Sequence, residues 1–377
     1  MLTLAATRLF TGTEILDGAT LEIDSGLIVR VTPGIRPGVP WLDGLLAPGL
    51  VDIQVNGGGG VLFNDSPTVQ SLRTITQGHA QLGVTALMAT LISDERGKIA
   101  AAIDAVAEGV RDEMPGLLGL HLEGPWLSEP RRGVHPQRYL RALDAADLDL
   151  VARKHPFPVL VTLSPEQASP DDVHRLTSAG VTVSIGHTAA SHREIEALIA
   201  AGATGFTHLF NAMPPMEGRS PGAVGVALAE RRTWAGLILD GIHVHPVSAK
   251  AAFAAKSADK LVLVSDAMAT VGATDTSMTL FGDRIAVAGG ALRTEAGTLA
   301  GAHLDLATAA RNALAMLNAT TVEALQMTSL TPAVFLGADR LHGRIAPGAR
   351  ADLVLFSDAL DVRNVWIAGA EVCPPGL

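Results

Sequence analysis

Residues 83–124 read GVTALMATLISDERGKIAAAIDAVAEGVRDEMPGLLGLHLEG, with an apolar run at each end of a segment of helical period. The runs GVTALMAT (83–90) and GLLGLHLEG (116–124) have the continuous apolar character of parallel strands that are buried on both faces. The segment DERGKIAAAIDAVAEGV (94–110) between them has the apolar spacing of an amphipathic helix. The stretch therefore predicts a strand, a helix and a second strand parallel to the first.

The same pattern recurs along the chain in both directions. Eight apolar runs of strand length follow residue 45, at 47–55, 83–90, 116–124, 158–165, 180–188, 202–210, 234–244 and 260–268. Eight alternations of strand and helix favour an α/β fold of the (β/α)₈ TIM-barrel type over a doubly wound sheet. A turn-rich segment at 276–297 is expected to form a hairpin insertion, and helices are expected to resume at about Thr298 and to continue to about Leu336.

The two ends of the chain have a different pattern. Apolar and polar residues alternate over 20–34 and again over 342–369, as they do in antiparallel strands. We expect both termini to combine into one small β-sandwich domain beside the barrel. The expected bounds are residues 1–47 with 340–377 for this composite domain, and residues 48–339 for the barrel.

Composition excludes several classes of protein. A chain of 377 residues with 48% hydrophobic residues can bury a large core. A formal net charge of −10 argues against a nucleic-acid surface, because phosphate backbones are bound by clustered Lys and Arg. No apolar run is long enough to span a membrane, and the first residues lack the pattern of a secretory signal, so we expect a soluble, cytoplasmic protein. The single cysteine, Cys373, permits no internal disulfide and is given no role.

Ionisable and polar side chains stand at the ends of six of the eight predicted strands: Gln54 and Asn56, Glu123, His187, His208, Asp240 with His243, and Asp266. Barrel active sites lie at the carboxyl ends of the strands, so these side chains are expected to converge. Any one of them alone is more often merely hydrogen bonded or solvated. Together they need partners, which a metal ion supplies. One carboxylate and two imidazoles make a three-ligand set with an open position, as in catalytic zinc sites.

Seven segments of the chain resemble the motif series of the N-acetylglucosamine-6-phosphate deacetylases of the amidohydrolase superfamily. In order they are PGLVDIQVNGGGG (48–60), HLEGPWLSEPRRGVHP (121–136), SIGHT (184–188), THLFNAM (207–213), DGIHV (240–244), SDAM (265–268) and GTLAG (297–301). HLEGP followed by THLFNAM is specific to this family, whereas PGLVD and the closing ARADLVLF occur across the superfamily. The resemblance covers essentially the whole chain. It implies metal-dependent hydrolysis of the N-acetyl amide of N-acetyl-D-glucosamine 6-phosphate, in amino sugar metabolism.

The resemblance also implies a role for each matching residue of the catalytic centre. Glu123, His187 and His208 are the implied metal ligands. Asp266 is the implied catalytic base and acid, and His135 is the implied donor to the oxyanion.

The first strand departs from the pattern of the superfamily. Many members end this strand in a His-x-His pair that helps to hold two metal ions, whereas this chain has Gln54 and Asn56 there. Neutral amides are poor ligands for a transition metal, so we expect one tightly held divalent ion per subunit, with Gln54 and Asn56 as site contacts. Zinc is favoured by the mixed N/O ligand set, and ferrous iron is the alternative.

The substrate contacts that the resemblance implies are Asn211, Ala212, Arg219, His243 and, through the backbone, Leu299, Ala300 and Gly301. In the family, the arginine that corresponds to Arg219 comes from the neighbouring subunit, so a homodimer is expected. Three alternatives remain open at this point. They are a deacetylase of another N-acetyl hexosamine phosphate such as N-acetylgalactosamine 6-phosphate, a ring amidase, and a barrel that binds without catalysis.

Overall fold

The structure is a computed structural model that describes residues 1–372, so Cys373 lies outside the described residues. The chain opens with four strands, β1 (Leu2–Phe10), β2 (Ile15–Asp24), β3 (Leu27–Pro33) and β4 (Trp41–Pro48). The barrel follows, with its strands β5 (Leu50–Val55), β8 (Val84–Ile92), β9 (Gly116–Glu123), β10 (Val159–Leu163), β11 (Thr182–Ile185), β12 (Gly205–Phe206), β13 (Trp234–Ile238) and β14 (Leu261–Val264). Between β5 and β8 lie the short strands β6 (Gly57–Gly58) and β7 (Val61–Leu62).

The eight barrel strands run parallel in the order in which they occur along the chain. A parallel bridge between Val55 and Ala267 joins the first strand to the segment after the last, so the ring is nearly closed. Every residue of β5, β8, β10 and β14 is buried, which explains why these strands are continuous apolar runs. The predicted (β/α)₈ barrel is confirmed.

Helices lie between the barrel strands and after the last of them. Those between the strands are α1 (Val69–Ala80), α2 (Arg96–Arg111), α3 (Ala145–Val151), α4 (Pro170–Ser178), α5 (His192–Ala200), α6 (Gly222–Ala229) and α7 (Pro246–Lys256). Those after the last strand are α8 (Leu306–Asn312), α9 (Thr321–Thr328) and α10 (Leu330–Phe335), with a π-helical turn at Ala313–Leu317. The capping box of Ser191 and Glu194, visible in the sequence, begins α5.

The segment after the eighth strand differs from its prediction in two ways. It contains three antiparallel strands, β15 (Ser277–Leu280), β16 (Asp283–Ala288) and β17 (Ala291–Thr294), where a hairpin was expected. The expected helix start at Thr298 is wrong, because Ala300 N donates to Leu292 O and isolated β-bridges join Leu299 to Arg293 and Ala302 to Ala267. Helix α8 begins at Leu306, where the Asp305 side chain accepts from Thr308 N at 2.8 Å.

Strands from both termini form one seven-stranded sheet outside the barrel. Its C-terminal members are β18 (Leu353–Phe356), β19 (Val362–Ile367) and β20 (Ala370–Glu371), and the order is β20-β19-β18-β4-β1-β2-β3. The pairing is antiparallel except between β1 and β4, which run parallel. Ile28 N donates to Ala349 O at 2.9 Å, so the sheet curls back on itself around a core of its own, in the manner of a sandwich. The separate β domain built from both termini is thus confirmed.

Across residues 1–372, we find no helix that combines the length and the apolar character required for crossing a membrane.

Candidate active site

Four ionisable residues meet where the barrel strands end. Glu123 is the last residue of β9, and His187, His208 and Asp266 each stand two residues beyond β11, β12 and β14. These last three have φ of 46°, 30° and 49°, a left-handed conformation that costs energy for residues other than glycine. Hydrogen bonds from neighbouring strands hold the strained turns, for example from Leu209 N to Gly236 O at 2.8 Å. Strain of this kind at three strand ends points to a functional requirement.

Glu123, His187 and His208 bring three ligand atoms together. Nε2 of His187 lies 3.2 Å from Oε1 of Glu123, Nε2 of His208 lies 3.0 Å from the same oxygen, and the two Nε2 atoms are 3.0 Å apart. A tetrahedral ion with ligand bonds of about 2.0–2.1 Å separates its ligands by roughly 3.3 Å, close to these distances. All three side chains are buried, at 5% exposure or less. The three residues therefore fit a small divalent metal ion.

The environment of these side chains prepares them as ligands. Nδ1 of His187 lies 2.7 Å from Arg131 O, which can only accept, so this nitrogen carries the proton and Nε2 keeps its lone pair. Burial opposes ionisation of Glu123, but the adjacent imidazoles of His187 and His208 outweigh it and hold the pKa of this carboxyl well below its ordinary value. A charged carboxylate and a correctly oriented imidazole are what a metal site requires.

His135 is a fourth candidate ligand, since one nitrogen of its ring lies within 4.8 Å of ligand atoms of Glu123 and His187. Its hydrogen bonds favour a different role. Nδ1 of His135 accepts from Ser93 N at 3.3 Å, so the proton of the neutral ring is on Nε2. Burial, followed by repulsion from His187, lowers the pKa of His135 to about 3, which keeps the ring neutral. His135 therefore presents an N–H donor to the cavity.

Gln54 and Asn56 at the end of β5 donate to the two carboxylates. Nε2 of Gln54 lies 3.2 Å from both carboxylate oxygens of Glu123 and 3.2 Å from Oδ1 of Asp266. Nδ2 of Asn56 lies 2.7 Å from the same Oδ1. Burial and the nearby Glu123 raise the pKa of Asp266 to about 6, although the bond from Asn56 opposes this. Both amide donors use Oδ1, so Oδ2 of Asp266 takes part in neither of these bonds.

The cavity above these groups has a volume of about 170 Å³. Eleven of the fourteen residues that the sequence assigned to the metal, to catalysis, to the substrate or to first-strand contacts line it: Asn56, Glu123, His135, His187, His208, Asn211, Ala212, His243, Asp266, Leu299 and Gly301. Three do not. Gln54 lies beneath the cavity as a support of the carboxylates, Ala300 is fully buried, and Arg219 is exposed on the loop before α6.

His243 occupies the cavity wall with its ring held by Asp240. Nδ1 of His243 donates to Oδ2 of Asp240 at 2.6 Å, and Oδ1 of Asp240 accepts from the backbone N of both Ile242 and His243 at 2.8 Å. Burial raises the pKa of Asp240, but the bond from His243 and these N–H groups outweigh it, so the net pKa is lowered. The Asp240 carboxylate thereby fixes the orientation of the His243 ring.

Sequence reasoning missed the apolar side of the cavity. Ile92, Val134, Ile238 and Met268 line it, together with Gly133. Val134 and Met268 lie inside motifs that the sequence had already singled out, but an apolar side chain there reads equally well as core. Only the three-dimensional contacts separate lining residues from core residues.

A nearly closed (β/α)₈ barrel that holds one carboxylate, two imidazoles and a buried aspartate at its strand ends has the design of a metal-dependent hydrolase. The family model described as "Amidohydrolase family" matches residues 45–372. The chain belongs to the amidohydrolase family, and within it to the hexosamine phosphate deacetylases represented by the relatives below.

Three similar proteins illustrate the relationship. The N-acetylgalactosamine-6-phosphate deacetylase of Shewanella sp. (strain ANA-3) is 40% identical over 98% of this chain and 95% of its own. The N-acetylglucosamine-6-phosphate deacetylase of Bacillus subtilis (strain 168) is 33% identical over 93% of this chain and 92% of its own. The solved structure of a mutant N-acetyl-D-glucosamine-6-phosphate deacetylase from Mycobacterium smegmatis, in complex with N-acetyl-D-glucosamine-6-phosphate, superposes with a TM-score of 0.90 at 33% identity, covering 99% of both chains.

Proposed function

We propose that the protein hydrolyses the N-acetyl amide of N-acetyl-D-glucosamine 6-phosphate to glucosamine 6-phosphate and acetate, as a step of amino sugar metabolism. The observation that carries the proposal is the set of Glu123, His187 and His208, whose ligand atoms lie 3.0–3.2 Å apart in one cavity with Asp266. Hydrolysis of an unactivated amide needs a nucleophile at neutral pH, stabilisation of an oxyanion and a proton for the leaving amine. The residues of this cavity can meet each need.

The three ligands would hold one divalent ion per chain, with zinc favoured by the mixed N/O set and ferrous iron as the alternative. Such an ion supplies Lewis acidity, which lowers the pKa of water to about 7 and polarises a carbonyl group. Glu123 keeps its negative charge beside the two imidazoles, and His187 keeps Nε2 free through its bond to Arg131 O.

Asp266 moves the proton. Its Oδ1 is held by Asn56 and Gln54, so Oδ2 takes a proton from the attacking water and returns it to the amine nitrogen as the C–N bond breaks. A pKa raised to about 6 suits both directions of transfer near neutral pH. His135 donates its Nε2–H to the carbonyl oxygen as negative charge develops there.

The sugar phosphate is assigned to Asn211, Ala212 and His243, with Arg219 from the partner of a homodimer. Asn211, Ala212 and His243 share one cavity, whereas Arg219 is exposed and does not line it in its own chain. In a protein with a net charge of −10, a phosphate has to be met by local groups of this kind. An arginine on an exposed loop can serve a neighbouring subunit.

Replacing Arg219 by Ala is expected to raise KM for the phosphorylated sugar by about 10- to 100-fold, because hydrogen bonds to charged groups contribute about 1.5–3 kcal/mol. KM for unphosphorylated N-acetylglucosamine should change little. Steady-state kinetics on both sugars, with exposed Arg231→Ala as the matched control, checks this. Equal effects of Arg219→Ala on the two sugars would remove the arginine from the phosphate site.

A second candidate substrate is N-acetylgalactosamine 6-phosphate. The relative from Shewanella named for this substrate is 40% identical over 98% of this chain, and one from Escherichia coli O157:H7 is 36% identical over 97%. The two sugars differ only in the orientation of one hydroxyl group, so the same metal and amide chemistry applies to both. The choice between them depends on hydroxyl contacts, where a site built for one hydrogen bond can discriminate strongly.

Acetate release from the two epimers, each beside its unphosphorylated form, tests the proposal. We expect rapid release from N-acetyl-D-glucosamine 6-phosphate, loss of this activity after treatment with a chelator, and recovery with one equivalent of metal per chain. Higher kcat/KM for the galactosamine epimer would transfer the assignment to the second candidate. Absence of acetate from both phosphorylated sugars by the metal-loaded protein would refute the deacetylase assignment.

A further inference from the structure

An apolar wall closes the active-site cavity on the side of the strand insertion. Its residues are Ile92, Val134 and Met268, which line the cavity and pack into one cluster with side chains of β15, β16 and β17. The wall lies close to the metal ligands, because a Cβ placed on Gly133, next to Val134, would stand 3.6 Å from Cε1 of His187. Ile92 and Met268 are buried, at 5% and 2% exposure, whereas Val134 is partly exposed.

A second cavity of about 530 Å³ adjoins the active-site cavity at Val134. It opens between the loop at Arg132 and the strands of the insertion, where Phe281, Arg284 and Ile285 contribute to its lining. Val134 lines both cavities, as does Gly133. Val134 therefore stands between the active-site cavity and the larger second cavity.

The reacting amide has a definite orientation in the active-site cavity if the proposed function is correct, and this inference rests on that function. The carbonyl oxygen turns towards His135, the nitrogen towards Asp266, and the sugar towards Asn211 and His243. The remaining substituent of the carbonyl carbon, the methyl group, is then left with the apolar wall. A methyl group against buried apolar side chains gains from leaving water.

We propose that the wall of Ile92, Val134 and Met268 is the acyl-binding surface, and that Val134 limits the substrate to short N-acyl groups. The substrate class is N-acyl hexosamine 6-phosphates, with acetyl accepted and longer linear acyl groups rejected. Rejection follows from packing, because a chain of three or four carbons would have to displace Val134 to reach the second cavity. One misplaced methylene in an apolar pocket typically changes kcat/KM by roughly 10- to 200-fold.

Replacing Val134 by the smaller Ala should let a longer acyl chain pass from the active-site cavity into the second cavity. The test measures kcat/KM for the N-acetyl and N-butanoyl forms of the same hexosamine 6-phosphate, in the wild type and in Val134→Ala. The ratio of butanoyl to acetyl activity within one preparation does not depend on the fraction of folded enzyme. The matched control is Val287→Ala, which makes the same change in the same apolar cluster but lines neither cavity.

We expect Val134→Ala to raise the butanoyl to acetyl ratio by roughly 10-fold or more, and Val287→Ala to leave it within about 2-fold of the wild type. An unchanged ratio in Val134→Ala, or an equal rise in Val287→Ala, would overturn the inference while acetate release by the wild type still supports the proposed function. Failure of the wild type to act on any N-acyl hexosamine phosphate would overturn both.

Discussion

Replacing Asp266 by Asn is expected to lower kcat by roughly 10³-fold or more while the metal content stays at the wild-type level. General acid and base catalysis contributes about 10²- to 10⁴-fold, and here one carboxyl serves in both steps. The amide of Asn cannot accept and return a proton at the same position. The Asp266 carboxylate also lacks imidazole partners of the kind that lie beside Glu123, since its two hydrogen bonds come from the neutral amides of Gln54 and Asn56. The Asp266→Asn variant should therefore retain its metal ion.

Single-turnover kinetics and metal analysis on the same preparation check this prediction. Asp259→Asn is a suitable control because Asp259 is exposed and lies just before β14, at the opposite end of that strand from Asp266. Retention of more than about a tenth of wild-type kcat by Asp266→Asn would remove Asp266 from proton transfer. Loss of metal together with activity would instead make it a ligand, and the proposed division of roles would be wrong.

The sequence predicted that the polar side chains at the strand ends converge, and the reason is physical. Parallel strands buried on both faces are apolar throughout, so Glu123, His187, His208 and Asp266 stand out where each strand ends. The barrel then brings all strand ends to one axis, and the convergence needs no knowledge of side-chain contacts. The left-handed backbone at His187, His208 and Asp266 was not predictable, because even His and Asp, which are enriched in this conformation, adopt it in only a small minority of cases.

The first strand shows where sequence reasoning stops. The residue types alone indicated that Gln54 and Asn56 are poor metal ligands. They did not indicate that Nε2 of Gln54 donates to both Glu123 and Asp266, since this depends on the side-chain positions of three different strands. The carboxylates of Glu123 and Asp266 repel each other when both are charged. The N–H donor of Gln54, which they share, reduces this repulsion without a second cation.

Local sequence patterns also do not predict which strands, distant in the chain, pair with each other. The alternation at both termini indicated strands, but the parallel pairing of β1 with β4 depends on which edges meet after folding. The same holds for residues 298–302, whose composition suits a helix start. A backbone bond from Ala302 N to Asp266 O at 2.8 Å ties this segment to the end of β14 instead, and so places Leu299 and Gly301 at the cavity.

Replacing Glu123 by Gln is expected to lower metal affinity by at least roughly 100-fold, with activity lost in proportion to bound metal. Removing a residue that only hydrogen-bonds to a metal ligand typically lowers metal affinity 10- to 100-fold. Glu123 should matter at least as much, because it supplies the only charged ligand of the proposed set. The uncharged amide keeps the volume of the side chain, so the barrel should still fold. Metal analysis after dialysis against a weak chelator, together with the unfolding temperature with and without added metal, reads out binding independently of catalysis.

Gln54→Ala, measured in the same experiment, distinguishes the effect of losing a proposed ligand from that of losing a residue that only hydrogen-bonds to it. Gln54 contacts Glu123 through Nε2 at 3.2 Å and is not a proposed ligand, so its loss should weaken the metal by less than Glu123→Gln does. The wild type should hold one ion per chain, because the first strand offers amides where a second ion would need imidazoles. Two tightly held ions in the wild type, or full metal retention by Glu123→Gln, would contradict the single-ion site and return His135, within 4.8 Å of the other ligand atoms, to consideration as a ligand.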